Sequence, residues 1–147
     1  MLSFITPLMA LMIGWRFILH LPLPATLRIL IFIFVLLIAE CHLIYRRVFG
    51  NMFSPEFPQP MMVAINALFG AEILFTLLLA IQSLWSLVAW LAGHPVLRTQ
   101  QINSLLLLVS LVVAGYAAWQ AVKVPSVKQV TVKIAHLPAA FECYRLV

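Results

Sequence analysis

The 147-residue chain contains no aspartate, and its only acidic side chains are four glutamates: Glu40, Glu56, Glu72 and Glu142. Without Asp, neither a pair of aspartates on a metal ion nor an Asp-His couple can be assembled within it. Charge of either sign is scarce. Only 9% of the residues are charged and 65% are apolar, whereas soluble domains run to about a quarter charged and about half apolar. With a mean hydropathy of +1.11, a soluble globular fold is excluded. Cysteine is limited to Cys41 and Cys143, far apart in the chain, which excludes a disulfide framework and leaves both expected as free thiols.

What is present is apolar sequence in long runs. Four stretches, 2–21, 27–45, 60–91 and 102–122, are separated by charged or proline-rich points. Each reaches the roughly 20 residues needed to cross a ~30 Å hydrocarbon core at about 1.5 Å per residue. The expected fold class is an all-α integral membrane protein with four transmembrane helices over residues 1–122 and a short β-prone tail over 123–147, with the lipid bilayer as its first partner. The first stretch is interrupted by Pro7, Arg16 and His20, the second by Arg28 and Glu40. No positive charge precedes the first run and no small-x-small site follows it, so it does not read as a cleaved signal peptide. The third stretch, 32 residues, would reach about 48 Å as helix, so it either tilts or begins in the interface. Pro55, Pro58 and Pro60 block helix before it, and Gly93-His94-Pro95 ends it.

The net charge is +5, but the basic residues are dispersed and form no basic face with interleaved aromatics, so nucleic acid is not an expected partner. The positive charges instead set orientation. Arg46, Arg47, Lys123, Lys128 and Lys133 fall on one side of a four-span layout and Arg16, Arg28 and Arg98 on the other, which favours cytoplasmic termini. Trp15, Trp85 and Trp90 are expected near the outer ends of the spans, and Tyr45, Tyr116 and Trp119 near the inner ends.

After Val122 the composition changes. Val130, Val132 and Ile134 alternate with Thr131 and Lys133 at the spacing of a half-buried strand, and Tyr144-Arg145-Leu146-Val147 reads as the opening of a second. The run Val124-Pro125-Ser126-Val127-Lys128-Gln129-Val130-Thr131-Val132-Lys133-Ile134, followed by Leu137-Pro138-Ala139-Ala140-Phe141-Glu142-Cys143-Tyr144-Arg145-Leu146-Val147, resembles the junction of membrane-anchored calcineurin-like metallophosphoesterases. In that family, transmembrane helices lead into V-P-x-V-K-x-V-x-V-x-I…L-P-x-x-x-x-G-x-R-I-V, and a Q-x-S-D-x-H stretch with the first metal ligands follows at once. Cys143 stands where the family usually has Gly, and the metal-ligand motifs G-D, G-N-H and G-H-x-H are absent. The resemblance implies the membrane portion of such a phosphoesterase, separated from its enzyme domain. It carries over no catalytic, metal or cofactor-binding residue, and it points to the bacterial inner membrane.

Two carboxylates lie inside the apolar stretches. Glu40 and Glu72 are the candidate functional residues, because an ionisable group at membrane depth costs a few kcal/mol on insertion scales. A functional reading makes them proton- or cation-handling groups. A structural one lets Glu40 reach the headgroups or pair with His42 or Arg46, and leaves Glu72 protonated or near the interface. Glu40-Cys41-His42 offers three ligand types, yet consecutive helical residues point about 100° apart and cannot face one ion. Arg16 is expected to snorkel at the outer end.

Small residues recur at four-residue spacing: Ala10 with Gly14, Ala67 with Ala71, and Ser110 with Ala114 and Ala118. These faces suit bundle seams or a homo-oligomer. Asn66, Gln82, Asn103 and Gln120 are candidates for interhelical hydrogen bonds. The leading expectation is the anchor region of a metallophosphoesterase-like protein, itself not an enzyme. The alternatives are a stand-alone membrane scaffold and a proton-coupled small transporter using Glu72 or Glu40.

Overall fold

The structure of the protein, a computed structural model, describes residues 2–50, 58–94 and 100–123. The expected strands of the tail, Cys143, Arg98 and most of the proline-rich loop lie outside the described residues. Among those described the chain is all-helical, without strands: α1 Leu2–Arg16, a 3₁₀ turn Ile18–His20, α2 Ala25–Ala39, α3 Cys41–Phe49, α4 Gln59–Leu91 and α5 Gln100–Val122.

Two of these helices, α4 and α5, are long and apolar enough to cross a membrane. A third crossing is available if α2 and α3, bent by 58° at their junction, count as one span. Four straight spans are therefore not what the first half of the chain forms. At 15 residues α1 rises only about 22 Å, short of the ~30 Å core, before the backbone tightens into the 3₁₀ turn and meets Pro22 and Pro24. The second stretch breaks at Glu40, whose ψ of 4° departs from the helical value. The bend has a physical rationale: α3 carries Arg46 and Arg47, both exposed, and turning off the α2 axis lets their charges stay near water.

The third stretch is one continuous helix of 33 residues. Pro60 is accommodated in its first turn, where a missing N–H leaves no bond unmade. Its C-terminus closes as a Schellman motif: Gly93 takes φ +73° and donates to the Trp90 carbonyl at 3.1 Å, and the His94 N–H reaches the Ala89 carbonyl at 2.9 Å.

Residue pairings give the helix directions. Thr6 meets Glu40 and Gly14 meets Phe32, so α1 and α2 are antiparallel. Val63 shares a groove with Val122, and Leu106 and Leu107 pack on the cluster that holds Leu79, so α4 and α5 are antiparallel as well. Arg16 at the end of α1 reaches Ser83 late in α4, which makes those two helices run the same way. The core is Ile13, Phe17, Ile18, Phe75 and Leu79, with Phe17 and Phe75 edge to face at 5.3 Å between ring centroids.

Large apolar side chains such as Leu8, Ile29, Leu84 and Val112 are exposed around the outside, as expected of a surface solvated by lipid tails. The small-residue spacings serve largely within the chain. Ala10, Gly14, Ala71, Ser110 and Ala114 are buried between helices, while Ala67 and Ala118 line an α4–α5 groove. Trp15, Trp85, Trp90, Tyr116 and Trp119 are exposed as belt residues should be, but Tyr45 is buried at 5% exposure and does not belong to the inner belt.

A side chain at Gly14 would meet the Phe32 ring at 2.8 Å, whereas one at Gly70 meets nothing within 4 Å. Gly14→Val should therefore lower the stability of the purified protein by about 1–3 kcal/mol, and Gly70→Ala should leave it nearly unchanged. Thermal unfolding in detergent followed by circular dichroism distinguishes the two.

Candidate functional site

In a medium without water, buried polar atoms must be satisfied within the protein. Most hydroxyls here achieve this locally by donating to the carbonyl four residues back: Thr76 to Glu72, Ser86 to Gln82 and Ser110 to Leu106, each at 2.8 Å, and Ser83 to Leu79 at 2.6 Å.

The Glu72 carboxyl is different. Its side chain is 7% exposed, and neither oxygen has a hydrogen-bond partner among the described residues. It sits thirteen residues into α4, so the helix does not begin beside it. Ala67, which shares a groove with Ala118 next to Trp119, and Trp85 are eighteen residues apart. That is about 27 Å along α4, close to the thickness of the hydrocarbon core. Glu72 lies five residues, about 8 Å, inside this interval. It lines a cavity of about 150 Å³ whose other lining residues, including Ile13, Phe17, Phe34, Phe75 and Leu107, are apolar.

Glu40 stands at the α2–α3 bend. Its Oε1 accepts a 2.8 Å hydrogen bond from Thr6 Oγ1 on α1, a partner other than the neighbouring His42 or Arg46. It also lines a recess of about 540 Å³ with Arg46 and Arg47, so the bend brings this carboxylate beside the basic face of α3. Ile38, two residues before Glu40, lines the same cavity as Glu72, and the His42 ring, two residues after Glu40, packs on Phe69, three residues before Glu72. The fold thus brings together the two candidate carboxylates, 32 positions apart in sequence, around one helix junction. Consecutive residues here go different ways: Glu40 toward Thr6, Cys41 into the interior, and the His42 ring onto Phe69 at 4.5 Å between centroids. Cys41 Sγ lies 3.2 Å from His42 Nδ1, and among the described residues no group of three or more His, Cys, Asp or Glu side chains is arranged to hold a metal ion.

A second polar cluster lies at the opposite end of the bundle. Arg16 does not simply extend outward. Its guanidinium donates to Ser83 Oγ at 2.6 Å, and its backbone carbonyl accepts from Asn103 Nδ2 at 3.2 Å, which links α1, α4 and α5. Arg16, His20, Gln82, Gln100 and Asn103 line a recess of about 590 Å³ there. Asn103 thus makes an interhelical bond of the kind its sequence position suggested, while Gln120 bonds the Tyr116 hydroxyl of its own helix at 2.8 Å. Thr6 and Ser83 had no sequence signal. A hydroxyl in an apolar run does not reveal that a carboxylate 34 residues away, or an arginine 67 residues away, is its partner.

Comparison with known protein families, curated proteins and solved structures finds no match to this chain.

The two carboxylates should respond oppositely to removal. Thr6→Val removes the hydrogen bond that Glu40 accepts and should cost about 1–3 kcal/mol, with Thr6→Ser retaining most of the stability. Glu72→Leu removes an unsatisfied buried carboxyl and should stabilise the protein by about 1–3 kcal/mol. Melting temperatures in the same detergent test both signs.

Proposed function

We propose that the chain is the membrane-anchoring domain of a metallophosphoesterase-like protein, crossing the bilayer four times with both ends of the membrane domain on the cytoplasmic side. The alternating directions of α1, α2, α4 and α5 support this count. The 3₁₀ turn extends α1 by about 6 Å, to a rise of roughly 28 Å, near the hydrocarbon thickness. The bent pair α2 and α3 then forms a crossing whose last part lies along the interface.

One observation carries the reading. α5 ends at Val122 beside Val63, near the start of α4, and α3 places Arg46 and Arg47 toward that same end of the bundle. The segment that resembles the phosphoesterase junction therefore emerges on the arginine-bearing side, which the positive-inside rule assigns to the cytoplasm. The membrane helices would hold an enzyme domain against the inner face of a bacterial inner membrane. Hydrolysis would belong to the domain that follows the junction in such proteins.

Two measurements test this. A green fluorescent protein fused after Lys123 should fluoresce, and an alkaline phosphatase fused after His94 should be active. The reverse pattern would refute the orientation. The protein extracted from its native membrane should have a mass well above 16.5 kDa and hydrolyse a phosphodiester in a metal-dependent, chelator-sensitive way. A native mass matching 147 residues without such hydrolysis would sink the anchor reading and leave a membrane scaffold.

A further inference from the structure

The recess of about 590 Å³ at the end of α1 offers cationic and N–H side chains from separate parts of the fold. Arg16 closes α1 and is half-buried, His20 ends the 3₁₀ turn and is exposed, and Gln82 comes from α4. The exposed Trp15 also lines it. Ser83 accepts one N–H of the Arg16 guanidinium, and Asn103 donates to the Arg16 carbonyl, so α4 and α5 both fix the position of the arginine. None of the side chains lining the recess is acidic. Asn103 Oδ1 and Gln100 Nε2 are enclosed and are not offered to a ligand, which leaves Arg16, His20, Gln82 and Trp15 as the donors in reach.

Depth and surroundings narrow the choice of ligand. Gln82 is three residues, about 5 Å, short of Trp85, which marks that end of the hydrocarbon interval on α4. The recess therefore lies at headgroup level. An apolar groove of about 330 Å³ adjoins it between α1 and α2, with Trp15 and Leu19 lining both. Arg28 stands at the mouth of this groove with Nη1 on the Leu19 carbonyl at 3.2 Å, while Leu11, Gly14 and Phe32 continue it toward the bilayer centre. A metal cation finds no carboxylate in the recess. A soluble anion would match the polar recess but not the groove, and a hydrocarbon would match the groove alone. A choline headgroup would bring a second cation to a wall that already holds Arg16. An anionic phospholipid has both of the parts that fit: phosphate oxygens that accept from Arg16, His20 and Gln82, and an acyl chain that lies along Leu11, Gly14 and Phe32.

We propose that the recess and groove together form a binding site for one anionic phospholipid, its phosphate held by Arg16, His20 and Gln82 and one acyl chain seated between α1 and α2. The lipid would join α1, α2 and α4 from the side, at the end of the bundle away from Val122. The site goes beyond the anchor reading and does not rest on it, since neither the orientation of the helices nor a following enzyme domain enters the argument.

The test uses the full 147-residue chain in a non-ionic detergent, with equal amounts of dioleoyl phosphatidylglycerol and dioleoyl phosphatidylcholine as probes. Native mass spectrometry counts the lipid that stays bound. One phosphatidylglycerol per chain should be retained, at least fivefold over phosphatidylcholine. Arg16→Gln should bring that preference close to unity. Leu11→Trp, which fills the groove and leaves the polar recess in place, should lower retention of phosphatidylglycerol at least fivefold. The double variant Arg46→Gln with Arg47→Gln, at the opposite end of the bundle, should keep the preference. Neither glycerol phosphate in hundredfold excess nor oleate in equal amount should displace the lipid. Should Arg16→Gln fail to fold, His20→Ala and Gln82→Leu, both at the edge of the recess, should each lower the preference at least twofold. Equal retention of the two lipids, an undiminished preference in folded Arg16→Gln or in both edge variants, unchanged retention by folded Leu11→Trp, loss of the preference in the double variant, or displacement by glycerol phosphate or oleate would each overturn the assignment.

Discussion

Phe17 and Ile18 interlock with Phe75 and Leu79 where α1 gives way to its 3₁₀ turn, and the other helices are arranged around that contact. Packing matters here for a reason peculiar to the medium. Lipid tails are as apolar as leucine, so burying one more leucine between helices yields little, and association relies on close fit and hydrogen bonds. The edge-to-face Phe17–Phe75 pair provides fit at the centre. Small residues provide it elsewhere: Gly14 admits the Phe32 ring, and Ala71, Ser110 and Ala114 are buried between helices. The long helix α4, 33 residues, supplies Ala71, Phe75 and Leu79 to this packing.

The same medium explains the distribution of polar groups. Most hydroxyls turn back onto their own helix, and interhelical polar links sit toward opposite ends of the bundle, Thr6 with Glu40 at one and Arg16 with Ser83 and Asn103 at the other. These links pin α1 to α2, α4 and α5. Glu72 stands outside the pattern: a buried carboxyl with two unsatisfied oxygens costs stability wherever it occurs.

Much of the architecture was legible in the sequence because hydropathy reads element length directly. The α4 and α5 segments were found to within a few residues at each end, and Gly93 was recognised as a terminator because a left-handed position after a helix favours glycine. The first two stretches were read as straight spans, since apolar composition does not report a bend. The break at Glu40 depends on the Thr6 contact and on the exposed arginines of α3, which involve separate parts of the chain. Tyr45 looked like a belt residue by type and position, yet the bend turns it inward. Arg16 looked like a snorkelling side chain because its partner Ser83 is 67 residues away.

Composition and periodicity by themselves determined that this is a helical membrane protein and that Glu40 and Glu72 stand in otherwise apolar stretches. Those properties reside in local residue types and in their spacing along one strand of chain. Only the tertiary structure decided that Glu40 accepts a hydrogen bond from Thr6 on another helix, and that Glu72 is buried with no hydrogen-bond partner for its carboxyl among the described residues. Each of these depends on side chains from different helices meeting in space, and helix order alone does not specify which faces meet.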